Sequence, residues 1–192
     1  MPLLLLLAFA PARAAPEPDD AAAFDAWLNH HPVTQLEDFL AERKLNGIVP
    51  TRSLLRTATD WRRCKAPQFE IPPKSHWPVM REVVALVAEL KKREILKEVD
   101  GASAYRNPAL NACANGAPRS AHTVSWALDL TAEGPSIDVT KLCAFWRDEG
   151  RKWNMGLSRY PSGRIHLDVS GWRTWGADHT YRTSFCLAQR KD

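Results

Sequence analysis

The chain has 192 residues, of which 45% are hydrophobic and 25% charged, and its formal net charge is +4. This length is enough for one substantial hydrophobic core and short for two independent domains. The positive charges are spread along the chain without the Lys/Arg block that is typical of nucleic-acid-binding tails. We therefore expect a single domain and no nucleic-acid partner.

The N-terminus has the pattern of a secretory signal peptide. Residues 3–9 form an apolar run, and residues 12–14 have the small-x-small sequence of a cleavage site. The run is far shorter than the ~20 apolar residues that a membrane-spanning helix needs. We predict a signal peptide at residues 1–14, a mature chain without an integral membrane segment, and export to the periplasm or cell envelope.

Residues 15–77 are predicted to form an N-terminal extension of helix and extended chain. Thr34 can begin a helix that continues to about Leu45, with Asn46-Gly47 as a stop signal. Prolines are scattered through residues 49–78, which favours an extended segment that wraps over the core. The segment is predicted to support the fold and carries no motif with a function.

Residues 78–192 carry a regular pattern of elements. The longest helix is predicted to begin at Pro78, because apolar residues recur behind it at three- and four-residue steps. Further along the chain, strand, helix and turn signals alternate. They predict a strand ending near Arg106, a small helix from Asn107-Pro108, a strand at 126–131, a helix at 137–148, and a β-hairpin of 156–160 with 164–169.

Short strands without a long βαβ alternation predict an α+β fold. We expect a small, mainly antiparallel sheet packed by helices. His166 would then lie on a hairpin strand that can pair with the strand carrying Asp129.

His122, Asp129 and His166 are the residues with the clearest chemistry. Two imidazoles and one carboxylate make a typical zinc site that leaves one position open. Such a position lets zinc lower the pKa of a water molecule, which suits hydrolysis. These residue types therefore favour a zinc hydrolase.

The four cysteines are Cys64, Cys113, Cys143 and Cys186. In an oxidising compartment an even number predicts disulfides, here two, with three possible connectivities. No two cysteines have C-x-x-C spacing, which argues against a thiolate zinc site. We expect Cys113–Cys143 and Cys64–Cys186, since the first bond would tie the loop before His122 to the helix after Asp129.

Residues 103–175 resemble the M15 family of zinc peptidases, which contains D-Ala-D-Ala carboxypeptidases and peptidoglycan endopeptidases. The family pattern is Y-R, then S-x-H-x-x-G-x-A-x-D, then a late His. Its counterparts here are Tyr105-Arg106, the stretch Ser120 to Asp129, and His166 within Ile-His-Leu-Asp. The resemblance covers about seventy residues and none of the chain before Ser103.

The resemblance implies an exported metallopeptidase that acts, as a monomer, on peptidoglycan peptides. Residues 78–192 would form its catalytic domain. His122, Asp129 and His166 would be the Zn²⁺ ligands. Arg106 would face the substrate, and Tyr105 and Ser120 would also bind it, although Ser120 can instead hold His122 in place by a hydrogen bond. A guanidinium suits that role chemically, because it binds carboxylates and stabilises a developing oxyanion.

The chain departs from the family pattern at two positions. Ser125 replaces the glycine, and Gly163 stands where much of the family has the carboxylate that acts as general base. Asp168 is our candidate for that base, although it can equally orient a ligand histidine or pair with Arg173. Glu149 and His179 are further candidates.

The sequence therefore indicates two candidate functions. The first is a zinc peptidase that cleaves peptidoglycan stem peptides or cross-links, with Arg106 and Asp168 as catalytic residues. The second is a zinc-containing peptidoglycan-binding module in which catalysis is impaired, because the expected carboxylate is missing.

Overall fold

The structure, a computed structural model, describes residues 20–124, 126–131 and 137–188. The predicted signal peptide lies outside these residues. The helices are α1 (Asp20–Leu28), α2 (Thr34–Ala41), α3 (Thr51–Leu55), α4 (Trp77–Lys92), α5 (Pro108–Cys113), α6 (Ala121–Val124), α7 (Val139–Asp148) and α8 (Phe185–Ala188). The strands are β1 (Gly101–Ser103), β2 (Ala127–Leu130), β3 (Gly156–Arg159), β4 (Ile165–Asp168) and β5 (Arg173–Trp175).

The five strands form one mixed sheet in the order β1-β2-β4-β3-β5. All neighbouring pairs are antiparallel except β3 and β5, which run parallel. The predicted α+β class with a small, mainly antiparallel sheet is confirmed. None of the helices in the described ranges is long and apolar enough to cross a membrane.

The pairing of β2 with β4 is the part of the fold that builds the site. Asp129 lies directly opposite His166, and Ala127 lies opposite Asp168. Opposite residues of an antiparallel pair project from the same face of the sheet. The strands that carry Asp129 and His166 pair as predicted, and both side chains lie on one face of the sheet.

Helix α4 is the central helix of the core. It begins within one residue of the predicted start, with Pro78 in its first turn, and its apolar face is fully buried. Buried residues from α1 through Cys186 belong to the same hydrophobic core. The N-terminal extension therefore packs on the rest of the chain.

Residues 49–78 contain more helix than we predicted from the scattered prolines, which favoured an extended segment. Thr51–Leu55 form α3, and Lys74–His76 form a single 3-10 turn. Pro50 precedes α3, while Leu54 and Leu55 are almost completely buried. Burial of these apolar side chains stabilises a helix that is too short to show a hydrophobic periodicity in the sequence.

Helix α2 ends at Ala41, four residues before the predicted end at Leu45.

The predicted disulfide pairing is wrong at both bonds. The structure pairs Cys64 with Cys113 and Cys143 with Cys186. Cys64 follows α3 in a turn that packs against the end of α5, where Arg63 donates to the carbonyl oxygen of Cys113. Cys143 lies on the buried face of α7 and meets Cys186 at the C-terminal helix. The number of disulfides is as predicted.

Candidate metal centre

Three buried side chains converge at the β2–β4 pair. The distances are 3.1 Å from His122 Nε2 to Asp129 Oδ1, 3.0 Å from His166 Nδ1 to Asp129 Oδ1, and 3.2 Å between the two imidazole nitrogens. Their exposed fractions are 1%, 2% and 3% for His122, Asp129 and His166. The three residues predicted as ligands lie together, and this group can hold a metal ion.

The spacing of the three ligand atoms fits a small metal ion. Two ligands that each lie 2.0–2.1 Å from a tetrahedral zinc ion are about 3.3 Å apart. The observed separations of 3.0–3.2 Å are close to this value. The geometry accommodates a tetrahedral ion, although it does not select among metals that accept imidazole and carboxylate.

The outer nitrogens of both histidines have fixed acceptors. His122 Nδ1 lies 2.6 Å from the carbonyl oxygen of Ala104, and His166 Nε2 lies 2.8 Å from Asp168 Oδ2. A proton on each outer nitrogen leaves the inner nitrogen able to present its lone pair to a metal. This outer arrangement is typical of histidines that bind metals.

The backbone holds His122 in place from the opposite side of the site. His122 lies in the one-turn helix α6, which Ser120 begins by accepting the amide hydrogens of Thr123 and Val124. The amide of Arg106 donates to the carbonyl oxygen of His122 at 3.0 Å. The backbone of the Tyr105-Arg106 segment therefore helps to position α6, and the side chain of Arg106 is part of the site.

The pKa values of the two histidines are shifted in opposite directions. Burial lowers the pKa of His122 to about 4, against the opposing effect of the Asp129 charge. Burial also acts to lower the pKa of His166, but hydrogen bonds and charges of Asp129 and Asp168 outweigh it and raise that pKa. Below this raised pKa, His166 carries a second proton, on the nitrogen that would face a metal ion.

Metal binding is expected to release this proton from His166. Because the pKa of His166 is raised, affinity for the metal should fall as the pH drops through that pKa and level off above it. Metal titrations between about pH 5 and 8, with proton release measured by calorimetry in buffers of different ionisation enthalpy, check this. An affinity that is constant over this range, with no proton released, would contradict it.

Arg106 contacts the second oxygen of the metal-facing carboxylate. Its Nη2 donates to Asp129 Oδ2 at 3.1 Å, and its Nε donates to Ser103 Oγ at 3.1 Å. The Arg106 side chain is 11% exposed and lines the cleft above the site. Asp129 therefore contacts both the metal-binding group and the guanidinium of Arg106, which borders the cleft.

Asp168 lies on the outer side of His166. Its Oδ2 accepts from His166 Nε2, and its two oxygens pair with Arg173 at 2.9 and 2.7 Å. Burial acts to raise the pKa of Asp168, but the bonds from His166 and Arg173 lower it to about 2. A side chain on Gly156 would collide with this carboxylate. Of the two predicted roles, the geometry supports the one in which Asp168 orients His166.

An open cleft of about 590 Å³ lies above the metal-binding group. Asp129 and His166, although almost completely buried, border its floor, and Ser120 and His179 also line it. The side chain of Tyr105, by contrast, is buried. Its ring makes an edge contact with the ring of His76, and the two ring centroids are 5.0 Å apart. Glu149, the remaining candidate base, is ion-paired with Arg93.

Tyr160 is the site residue that the sequence analysis missed. Its hydroxyl lies 3.4 Å from His166 Nδ1, and its side chain lines the same cleft as Arg106 and Asp129. Burial, with the nearby Asp129 charge, raises the pKa of Tyr160 above its usual value. Ser158 pairs with His166 across the hairpin, so Tyr160, two residues on, lies on the same side of the strand. The hairpin pattern alone was enough to find it.

The chain matches no family model, no curated protein and no solved structure.

Proposed function

We propose that this chain is an exported zinc peptidase that hydrolyses peptide bonds in peptidoglycan stem peptides or cross-links. The observation that carries the proposal is the buried His122–Asp129–His166 group at the floor of an open cleft. Two histidines and one carboxylate with a position left for reaction are typical of catalytic zinc sites rather than structural ones. The M15-like motifs support the substrate class, since Arg106, His122, Asp129 and His166 are adjacent in space.

Zinc, when bound, would act as a Lewis acid and lower the pKa of water at this site. The residues of the chain supply orientation and charge. Arg173 holds Asp168, and Asp168 holds the ring of His166. Arg106 places a permanent positive charge beside the reacting position, where it can stabilise the negative oxygen that develops on a peptide carbonyl.

The charge of the cleft fits a peptide that carries free carboxylates. Arg106, Arg119 and Arg164 line it, whereas its lining carboxylates in the described part of the chain are Asp60 and Asp129. Asp129 already belongs to the metal-binding group. A positively charged cleft attracts anionic peptides and raises their local concentration, and stem peptides of the cell wall are anionic.

The two disulfides support an oxidising compartment. Bonds of this kind form and persist in secreted and periplasmic proteins, and are rare in the cytosol. The Cys64–Cys113 bond also ties α5, whose following loop forms one wall of the cleft, to the segment after α3. We therefore place the proposed enzyme in the periplasm or cell envelope, where we expect it to act as a monomer.

Digestion of purified sacculi tests the proposal. Zinc-loaded protein should release soluble peptides or shorten stem peptides, as identified by mass, and a chelator should stop the reaction. Added zinc should restore it. Sacculi left unchanged by protein that has been shown to contain zinc would contradict the proposal.

One observation favours a second candidate, a zinc-containing peptidoglycan-binding module. Asp168 faces the outer nitrogen of His166, and no carboxylate of the described residues other than Asp60 and Asp129 lines the cleft. Hydrolysis usually needs a group that accepts a proton beside the metal. Zinc-loaded protein that sediments with sacculi without altering them would support this function over the enzyme.

Replacing Asp168 by Asn separates an orienting role from that of a general base. If Asp168 orients His166, zinc affinity should fall about 10- to 100-fold while activity returns at saturating zinc. If it accepts the proton, activity should stay low even with the metal bound. Zinc affinity and turnover, measured together, decide between the roles, with Asp148→Asn at the exposed end of α7 as the matched control.

A further inference from the structure

The hydroxyl of Tyr160 borders the open side of the metal-binding group. It lies 3.4 Å from His166 Nδ1, and the two rings are nearly perpendicular, at 87°. Tyr160 lines the same cleft as Arg106, which donates to Asp129 of the group. Tyr160 and Arg106 therefore border the same cleft beside the metal-binding group.

The backbone around Tyr160 fixes this position. Its amide donates to the carbonyl oxygen of Arg164 at 2.9 Å, and its carbonyl oxygen accepts from the amide of Gly163 at 2.9 Å. Gly163 has φ +86°, a conformation that favours glycine and closes the turn. The guanidinium of Arg164 lies 5.8 Å from the centre of the Tyr160 ring. The hydroxyl is thus carried by the end of a hairpin strand and not by a long loop.

The acceptor that the Tyr160 hydroxyl meets, His166 Nδ1, is an atom that a metal would engage. Asp129 and His166 supply ligand atoms to the metal-binding group. Once these lone pairs are given to a metal, the hydroxyl can donate to another acceptor on the same side. A phenol beside a guanidinium is a pair of donors suited to a negatively charged oxygen.

We propose that Tyr160 and Arg106 form an oxyanion-binding site on the open side of the metal centre, which takes ligands with a carboxylate or tetrahedral oxyanion. In the proposed peptidase, on which this catalytic role rests, the hydroxyl of Tyr160 donates to the negative oxygen that develops on the scissile carbonyl. Tyr160 is then a catalytic residue that donates a hydrogen bond and transfers no proton.

Anion binding to the cobalt-loaded protein tests this site without an activity assay. Co²⁺ can replace zinc at such sites and gives a visible spectrum that responds to ligands. Acetate, added as the probe, should change the spectrum of the wild type. Tyr160→Phe should keep cobalt but bind acetate about 10- to 100-fold more weakly, because a hydrogen bond to a charged oxygen is lost. Thr140→Val, which removes an exposed hydroxyl on α7, should bind acetate as the wild type does.

Three results would overturn the inference. These are no spectral response of the wild type to acetate, equal acetate affinities for Tyr160→Phe and the wild type, and loss of cobalt from Tyr160→Phe, which would make the hydroxyl a metal ligand. Failure of the proposed function is seen separately, because a protein that binds acetate through Tyr160 yet leaves sacculi intact has the anion site without peptidase activity.

Discussion

Replacing His122 by Ala is expected to abolish both the proposed zinc binding and the proposed peptidase activity. Nε2 of His122 is one of three ligand atoms that lie 3.0–3.2 Å apart, and two remaining ligands hold zinc far more weakly than three. We expect no stoichiometric zinc in the purified variant and no measurable digestion of sacculi. Elemental analysis and product identification by mass check these outcomes.

Two comparisons make the His122 result interpretable. His30→Ala replaces an exposed histidine beyond the end of α1 and should keep both zinc and activity. Circular dichroism of His122→Ala should show retained secondary structure, since the hydrophobic core and both disulfides are unchanged. A variant that keeps full activity after this substitution would rule out His122 as a ligand.

Replacing Arg106 by Ala is expected to lower turnover by about 10²- to 10³-fold while zinc is retained, which is the usual cost of removing one oxyanion donor. The guanidinium contacts Asp129 through the oxygen that faces away from the metal-binding group, so the ligand oxygen stays in place. Kinetics of the zinc-loaded variant on a stem-peptide substrate measure the effect.

Arg106→Lys and Arg147→Ala serve as controls for the loss of the guanidinium. Lysine keeps the positive charge but cannot bridge Ser103 and Asp129 as the guanidinium does, so we expect an intermediate rate. Arg147 is exposed on α7, and its replacement should change nothing. An Arg106→Ala variant with wild-type turnover would show that this residue has no part in the reaction.

The sheet and the three candidate ligands could be predicted because the turn and strand signals in the sequence agree with the strand pairing in the structure. The turn at Pro161-Ser162-Gly163 predicts a hairpin, and its second strand pairs with the strand of Asp129. In a sheet with alternating side chains, this register places His166 and Asp129 on one face. His122 follows because α6 leads directly into that strand.

Other features depend on contacts between distant segments and could not be predicted from local patterns. Four cysteines allow three connectivities, and only the packing of α5 on the segment after α3, and of α7 on α8, selects the observed pair of bonds. The orientation of Asp168 depends on which ring nitrogen of His166 faces inward. Strand alternation places Asp168 and His166 on one face but does not determine that choice.

The zinc content of the purified protein tests the metal centre most directly. Protein purified without chelator should contain about one zinc ion per chain, and an anomalous X-ray signal should place the ion between His122 Nε2, Asp129 Oδ1 and His166 Nδ1. Protein that stays metal-free after incubation with zinc at neutral pH, or that binds zinc elsewhere, would contradict the account.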